Sequence, residues 1–172
     1  TITVGEDQNV NLDLNDNNIT GDGEHDVIDV KGDLTITGAD SETPEDGTHN
    51  TISGGATGID VGSGGSLTLD GVTVTGNGIG VAFVDPLSVT FIGDQNVVNN
   101  NTAKNIDGSG KVNFKLTDKD GKEVTYKVDT KTAETLLTDK GNVVAHGHNS
   151  VYPSSTWILI KNSGGETYTA IC

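Results

Sequence analysis

The chain predicts an all-β fold, a short stack of parallel strands followed by a small β-rich unit, and three observations carry that expectation. Ile59–Val61 and Leu67–Leu69 return 22 positions later as Val81–Phe83 and Val89–Phe91, with Gly58, Ser66 and Gly71 matched by Gly80, Ser88 and Gly93. A fixed period of this size marks a solenoid, in which each repeat buries its apolar face only against its neighbours. Within the repeat apolar residues alternate with polar ones at period two, the strand pattern, and no helical period competes. Turn formers recur at the same spacing, Gly54 with Gly76 and Asn77 with Asn99. Both residue types tolerate the positive φ that a sharp corner needs.

Taken in order, three rungs are visible. The first strands are 28–30, 59–61 and 81–83, and the second strands are 34–36, 67–69 and 89–91. The third strands are less regular: Ile52, then Val72 to Val74, then Val97 or Val98, whose one-residue ambiguity leaves their facing open. Leu12, Leu14 and Ile19 suggest a partial rung before these, and Ile106 opens another after them. Alternation points Ile28, Val30, Leu34, Ile36, Ile59, Val61, Leu67, Leu69, Val81, Phe83, Val89 and Phe91 inward, and Asp29, Asp60, Thr35, Thr68 and Thr90 outward.

The stretches from Asn50 to Gly55 and from Leu67 to Asn77 resemble the right-handed parallel β-helix proteins, the group of pectin lyases, autotransporter adhesins and phage tailspikes. The resemblance covers about residues 10–108 and implies a right-handed parallel β-helix of three to four rungs, an architecture rather than an activity.

A boundary is expected where turn formers replace the repeat, at Asn99–Thr102 to Asp107–Gly110, giving an acidic rod over 1–108 and a β-rich capping or assembly unit over 109–172. In that unit Val112/Phe114/Leu116 and Val124/Tyr126/Val128 alternate around Asp118–Gly121, a hairpin signature. Thr132–Leu137 reads as a short helix closed near Gly141, and Trp157–Ile160 with Tyr168–Ile171 as a second hairpin.

Charge divides the chain. Residues 1–103 hold 17 acids and one lysine, a net of −16, whereas residues 104–172 hold 8 acids and 9 lysines, a net of +1. An acidic rod lacks the basic footprint that phosphate contacts demand, so nucleic acid is not an expected partner. No apolar stretch reaches the 18 or so residues of a membrane helix. A start at Thr1 without any methionine fits either a processed mature chain or a fragment. The lone cysteine, Cys172, cannot form an intrachain disulfide and is either an incidental terminal residue or a candidate for a bridge between chains or an attachment point.

Chemistry is thin along the rod. The chain has no arginine, the usual proton-abstracting base of the pectate lyases that the fold resembles, and Lys31 is the only lysine in the rod. Asp29 and Asp60 should stack on adjacent rungs as a candidate calcium site, although Ala82 breaks the column at the next rung. Asp13, Asp16, Asp22, Glu24 and Asp26 crowd an early loop, and Asp118, Asp120 and Glu123 surround the hairpin turn. Solvated turns account for both sets. His146 and His148 offer a weak transition-metal pair.

Thr35, Thr68 and Thr90 should form an outward ladder, a candidate face for a glycan or an ordered surface as well as a favoured strand composition. Asp40, Glu42, Glu45 and Asp46 lie in an acidic insertion, 39–49, of the kind that often carries a solenoid's recognition function. Ile2 and Val4 at one end, and Trp157, Tyr168 and Cys172 at the other, are candidate assembly residues. The segment 1–4 should either cap the rod or pair with the strand edge of another molecule. The expected function is therefore non-enzymatic and structural: a self-associating subunit of an extracellular, cell-surface or virion fibre, decoration or adhesin, forming a homo-oligomer or filament without a cofactor. A glycan- or crystalline-surface-binding module is the alternative, and a polysaccharide lyase or hydrolase the more distant one.

Overall fold

The computed structural model describes residues 1–38, 49–118, 120–146, 157–161 and 168–171. Its first rung is β1 (Ile2–Val4), β2 (Asn9–Asp13) and β3 (Ile19–Thr20); its second is β4 (Ile28–Val30), β5 (Asp33–Thr37) and β6 (Thr51–Ser53). The third is β7 (Thr57–Val61), β8 (Ser66–Asp70) and β9 (Thr73–Thr75), and the fourth β10 (Ile79–Phe83), β11 (Val89–Ile92) and β12 (Val97–Asn99). A fifth begins with β13 (Lys104–Gly108) and β14 (Lys111–Thr117), then reverses into β15 (Glu123–Asp129). The helix α1 (Thr130–Leu136) follows, then β16 (Val143–His146), β17 (Trp157–Lys161) and β18 (Tyr168–Ile171).

Three parallel sheets run along the stack. Sheet A is β1-β4-β7-β10-β13, sheet B is β2-β5-β8-β11-β14 with β15 added antiparallel, and sheet C is β3-β6-β9-β12. The chain is thus a parallel β-solenoid, as the 22-residue spacing predicts. Register places like above like: Ile28, Ile59, Val81 and Ile106 form one inward column, and Leu34, Leu67, Val89 and Val112 another. These members are buried or nearly so, and together they make one continuous core. Strands stacked about 4.8 Å apart bring equivalent side chains into contact, so one aliphatic type repeated down a column fills the interior.

Two sequence expectations change. Thr1–Val4, expected to cap the rod or to pair with another molecule, pairs as β1 in register with β4 and completes the first rung. And β14, which lies past the expected boundary at 108, pairs in parallel with β11 and extends sheet B. The ambiguous valines are resolved: Val98 stacks on Val74 and faces the core, while Val97 pairs with Thr73.

The corners also differ in detail. Gly54 and Gly76 adopt φ of 76° and 67°, as the repeat implies, and the next rung uses Asn100 at φ 51°. Asn77 has no such φ; it works through its side chain. Its Nδ2 donates to the Ile52 and Thr75 carbonyls and to Asn101 Oδ1, and its Oδ1 accepts from the Gly55 amide. Asn101 repeats the pattern towards Asn105. The stacking partner of Asn77 is therefore Asn101, 24 residues on, and not Asn99.

The two ends of the stack are unlike. At the C-terminal end α1 buries Ala133 and Leu136, and the Leu137 carbonyl after it accepts from Val98 N. Asp129 caps the helix through Thr132 N, and that backbone hydrogen bond holds its carboxyl below the usual carboxylate range. The second hairpin appears as β17 paired antiparallel with β18, with β16 along the other side of β17. At the N-terminal end nothing among the described residues lies beyond β1, β2 and β3. Ile2 heads the column of Ile28, yet it is 44% exposed where Ile28 is 0%. Val10, Leu12 and Ile19, which head three further columns, are only half-buried, whereas Val4, which heads the column of Val30, is buried.

Candidate functional site

The strongest chemical cluster on the rod is a carboxylate triad on the outer face of sheet A. Strand pairing puts Asp29 beside Asp60, the adjacency that the sequence predicts. The corner entering β4 adds Asp26, which the sequence reading assigns only to a crowded loop. One carboxylate oxygen from each lies within 4.8 Å of the others. Burial pushes the carboxyl groups of Asp29 and Asp60 above the ordinary range, and the hydrogen bond and charge of Asp26 add to it. Lys31 offsets this weakly at Asp29. The column ends as expected, with Ala82 above Asp60.

Three hard oxygen donors suit calcium or magnesium, and Asp26, Asp29 and Asp60 are the residues that would hold such an ion. Calcium takes six to eight oxygens, more than three carboxylates provide one oxygen at a time, so water would complete the shell. Asp26 was missed because it precedes the strand and so falls outside the alternating pattern; its position three residues ahead of Asp29 is the only signal.

The remaining early acids shape turns. Asp13 Oδ1 accepts from Asn15 N, and Asp22 accepts from the backbone amides of Glu24 and His25 and from the His25 ring at 2.7 Å. The backbone bond from His25 is the main cause holding the Asp22 carboxyl far below its usual range. Asp118 likewise accepts from the amides of Asp120 and Lys122 inside the β14–β15 turn, and Glu123 pairs with Lys115 at 3.2 Å. Turn geometry accounts for both groups without an ion.

On sheet B the expected ladder is present. Thr35, Thr68 and Thr90 pair in strict register, extended by Asn11 at one end and Asn113 at the other. Asn113 Nδ2 donates to Thr90 Oγ1 at 3.3 Å. Such a column presents hydroxyl and amide groups at the strand spacing on a flat face.

Of the assembly residues, Val4 is buried and belongs to the core, so only Ile2 offers side-chain surface at that end. Trp157 and Tyr168 sit in β17 and β18. Asp40, Glu42, Glu45, Asp46, His148 and Cys172 lie outside the described residues. No family model, curated protein or solved structure matches the chain. Among the described residues no helix is long and apolar enough to cross a membrane.

The triad makes a signed prediction. Asp60 has a raised carboxyl pKa in the folded state, so the native protein holds more protons than the unfolded chain between the two values, and stability falls as pH rises through them. Asp60→Asn should therefore unfold at a higher temperature than the parent at pH 7. That advantage should vanish below about pH 3.9, the value for an unstrained aspartate. Thermal melts at the two pH values check this, and an Asn variant less stable at pH 7 would refute the repulsion.

Proposed function

We propose that the protein is a non-enzymatic structural module, a short rod that self-associates through its end as a subunit of an extracellular or virion fibre, decoration or adhesin. The carrying observation is the difference between the two ends. At the C-terminal end Val98, Ile106, Val112 and Phe114 are buried, while Ile2, Val10, Leu12 and Ile19 leave an apolar plate on the first rung, where among the described residues β1, β2 and β3 have no strand on their outer side. Solenoids without a polar terminal repeat need such a plate covered, and an open sheet edge is a template for another strand. A catalytic reading has less support, since Lys31, the only lysine in the rod, is exposed and offsets the triad only weakly at Asp29.

Mass measured by light scattering over a concentration series should rise above that of one chain and fall back for Ile2→Asp, which places a charge on the plate. A parent that stays at one chain throughout removes this reading.

A second reading, a module binding a glycan or ordered surface, draws support from the in-register threonine column. Retention on insoluble polysaccharide should then drop for Thr68→Lys; equal retention of the variant rules the threonine face out.

A further inference from the structure

We infer that two copies join head to head through their first rungs, with β2 of one molecule pairing antiparallel with β2 of the other about a two-fold axis at Asn11. This rests on the self-associating reading above and names its partner and its pairing.

Of the three strands at the open end, β2 offers the longest edge: β1 has three residues and β3 two, whereas β2 has five, without proline or lysine and in unbroken register with β5. Asp33 N donates to Gln8 O and Leu14 N to Thr37 O, so Gln8 and Leu14, and with them Val10 and Leu12, turn their backbone groups towards β5. The amides and carbonyls of Asn9, Asn11 and Asp13 point the other way, where among the described residues no strand follows. An edge left like this is a template for another chain, and proteins blunt such edges with charge. The opposite edge of sheet B is blunted in that way, since β15 carries Glu123, Lys127 and Asp129. β2 has a single charge, Asp13, at its end.

The residues of β2 select a second copy as the occupant. Asn9-Val10-Asn11-Leu12-Asp13 presents the same pattern of residue types from either end. Antiparallel pairing about Asn11 sets Asn11 against Asn11, Val10 against Leu12 and Asn9 against Asp13. The three residues whose backbone groups point outward are then the ones that exchange hydrogen bonds across the pair, as antiparallel geometry requires. On the inner side Val10 and Leu12, half-buried beside Leu34 and Ile36, meet their counterparts, so both aliphatic columns continue into the partner. On the outer side Asp13 faces an asparagine amide that can donate to it, and no carboxylate of β2 stands opposite another. The same rotation turns the two apolar plates, with Ile2 and Ile19, towards each other. One surface is used twice, so association closes at two chains with the α1 ends outermost. Residues 1–26 carry seven acids and no lysine, so two such ends repel at long range. Salt screens exposed charges beyond about 8 Å at physiological ionic strength and leaves the strand and plate contacts in place. The dimer therefore tightens as salt rises, the opposite of an interface held by ion pairs.

Cross-linking at the axis tests the pairing in the full chain, with Cys172→Ser as background. Residues directly opposite in a hydrogen-bonded antiparallel pair have Cα atoms about 5.5 Å apart, inside the roughly 4.4–6.8 Å span of a disulfide. Asn11→Cys should therefore give a disulfide-linked dimer on mild oxidation, and Thr68→Cys, two rungs further along the same outward column, should not. Asn11→Pro should weaken association at least about tenfold, because it removes the two donors at the centre of the pair. Its ring nitrogen faces away from β5, so the rod's own ladder stays intact, and a melting temperature near the parent's verifies folding. Should the proline variant not fold, the cross-link decides alone. Light scattering of the parent should approach the mass of two chains and do so at lower protein concentration as salt is raised. A parent that associates while Asn11→Cys stays unlinked, while a folded Asn11→Pro associates equally well, or that comes apart as salt rises, overturns the β2 pairing and leaves self-association standing. Growth past two chains does the same. A parent that remains one chain at every salt concentration overturns the self-associating reading itself, and the pairing with it.

Discussion

Phe91→Ala is expected to lower the free energy of unfolding by about 3–5 kcal/mol, the range for removing a buried aromatic side chain from a close-packed interior. Phe91 is fully buried in the column that runs from Leu12 through Ile36 and Leu69 to Phe114 and Tyr126. Its ring stacks on Phe114 with centroids 5.2 Å apart and 24° between planes. Such pairs add about 0.5–1.5 kcal/mol beyond their buried area. The site is also poorly placed to collapse, because strands on both sides are fixed by parallel ladders to β8 and β14. A cavity there stays open and its walls lose their contacts. Phe91→Leu, which keeps most of the volume, should cost less than half as much. Urea unfolding followed by circular dichroism measures both, and an alanine variant within 1 kcal/mol of the parent would mean that the column relaxes freely. The slope of the transition carries further information. A solenoid is held together by nearest-neighbour contacts, so a break at the fourth rung separates the capped end from the rungs below and should broaden the transition.

What was legible in the sequence is what the parallel ladder makes repetitive. In-register stacking requires the same residue type at equivalent positions, so Ile59 and Val81, Leu67 and Val89, or Thr68 and Thr90 announce their pairing through their spacing alone. The corners were less legible because connections differ in length from rung to rung. Asn77 recurs functionally at Asn101, a spacing of 24 shared by β9 and β12, whereas β7 to β10 and β8 to β11 keep 22, so a fixed period of 22 selects Asn99 instead. The first rung was incomplete for the same reason: Val4 lies 26 residues before Val30, and no period extrapolates to it. Asp26 belongs to the triad by virtue of a corner, whose course strand alternation does not describe. The end of the coil was hidden by a change of direction within one sheet: β14 has the alternation of a hairpin strand because it is one, and it is also the fifth parallel strand of sheet B.

Asn77→Ala is expected to destabilise the protein by about 3 kcal/mol, well beyond the usual value of a single hydrogen bond. Asn77 is 2% exposed, and its amide saturates groups from three rungs: the Gly55 amide below, the Ile52 and Thr75 carbonyls, and Asn101 above. Alanine strands these partners inside the corner, and each buried group left unpaired costs about 1–3 kcal/mol. Water cannot replace the side chain easily, because the corner is closed on one side by Gly58, where even a Cβ would come within 2.8 Å of Asn77 Nδ2. Asn77→Asp separates the donor from the acceptor function. A carboxylate still accepts from Gly55 N but faces the Ile52, Thr75 and Asn101 oxygens with no hydrogen to give. The aspartate variant should therefore be less stable than the alanine variant at pH 7, and should recover part of the loss on acidification as the carboxyl gains a proton to donate. Sign follows from linkage: these oxygens raise the folded-state pKa of the new carboxyl, so its penalty is present above that value and absent below the unfolded one. An aspartate variant as stable as the parent at pH 7 would show that only the Gly55 bond matters and that the asparagine stack is incidental to the fold.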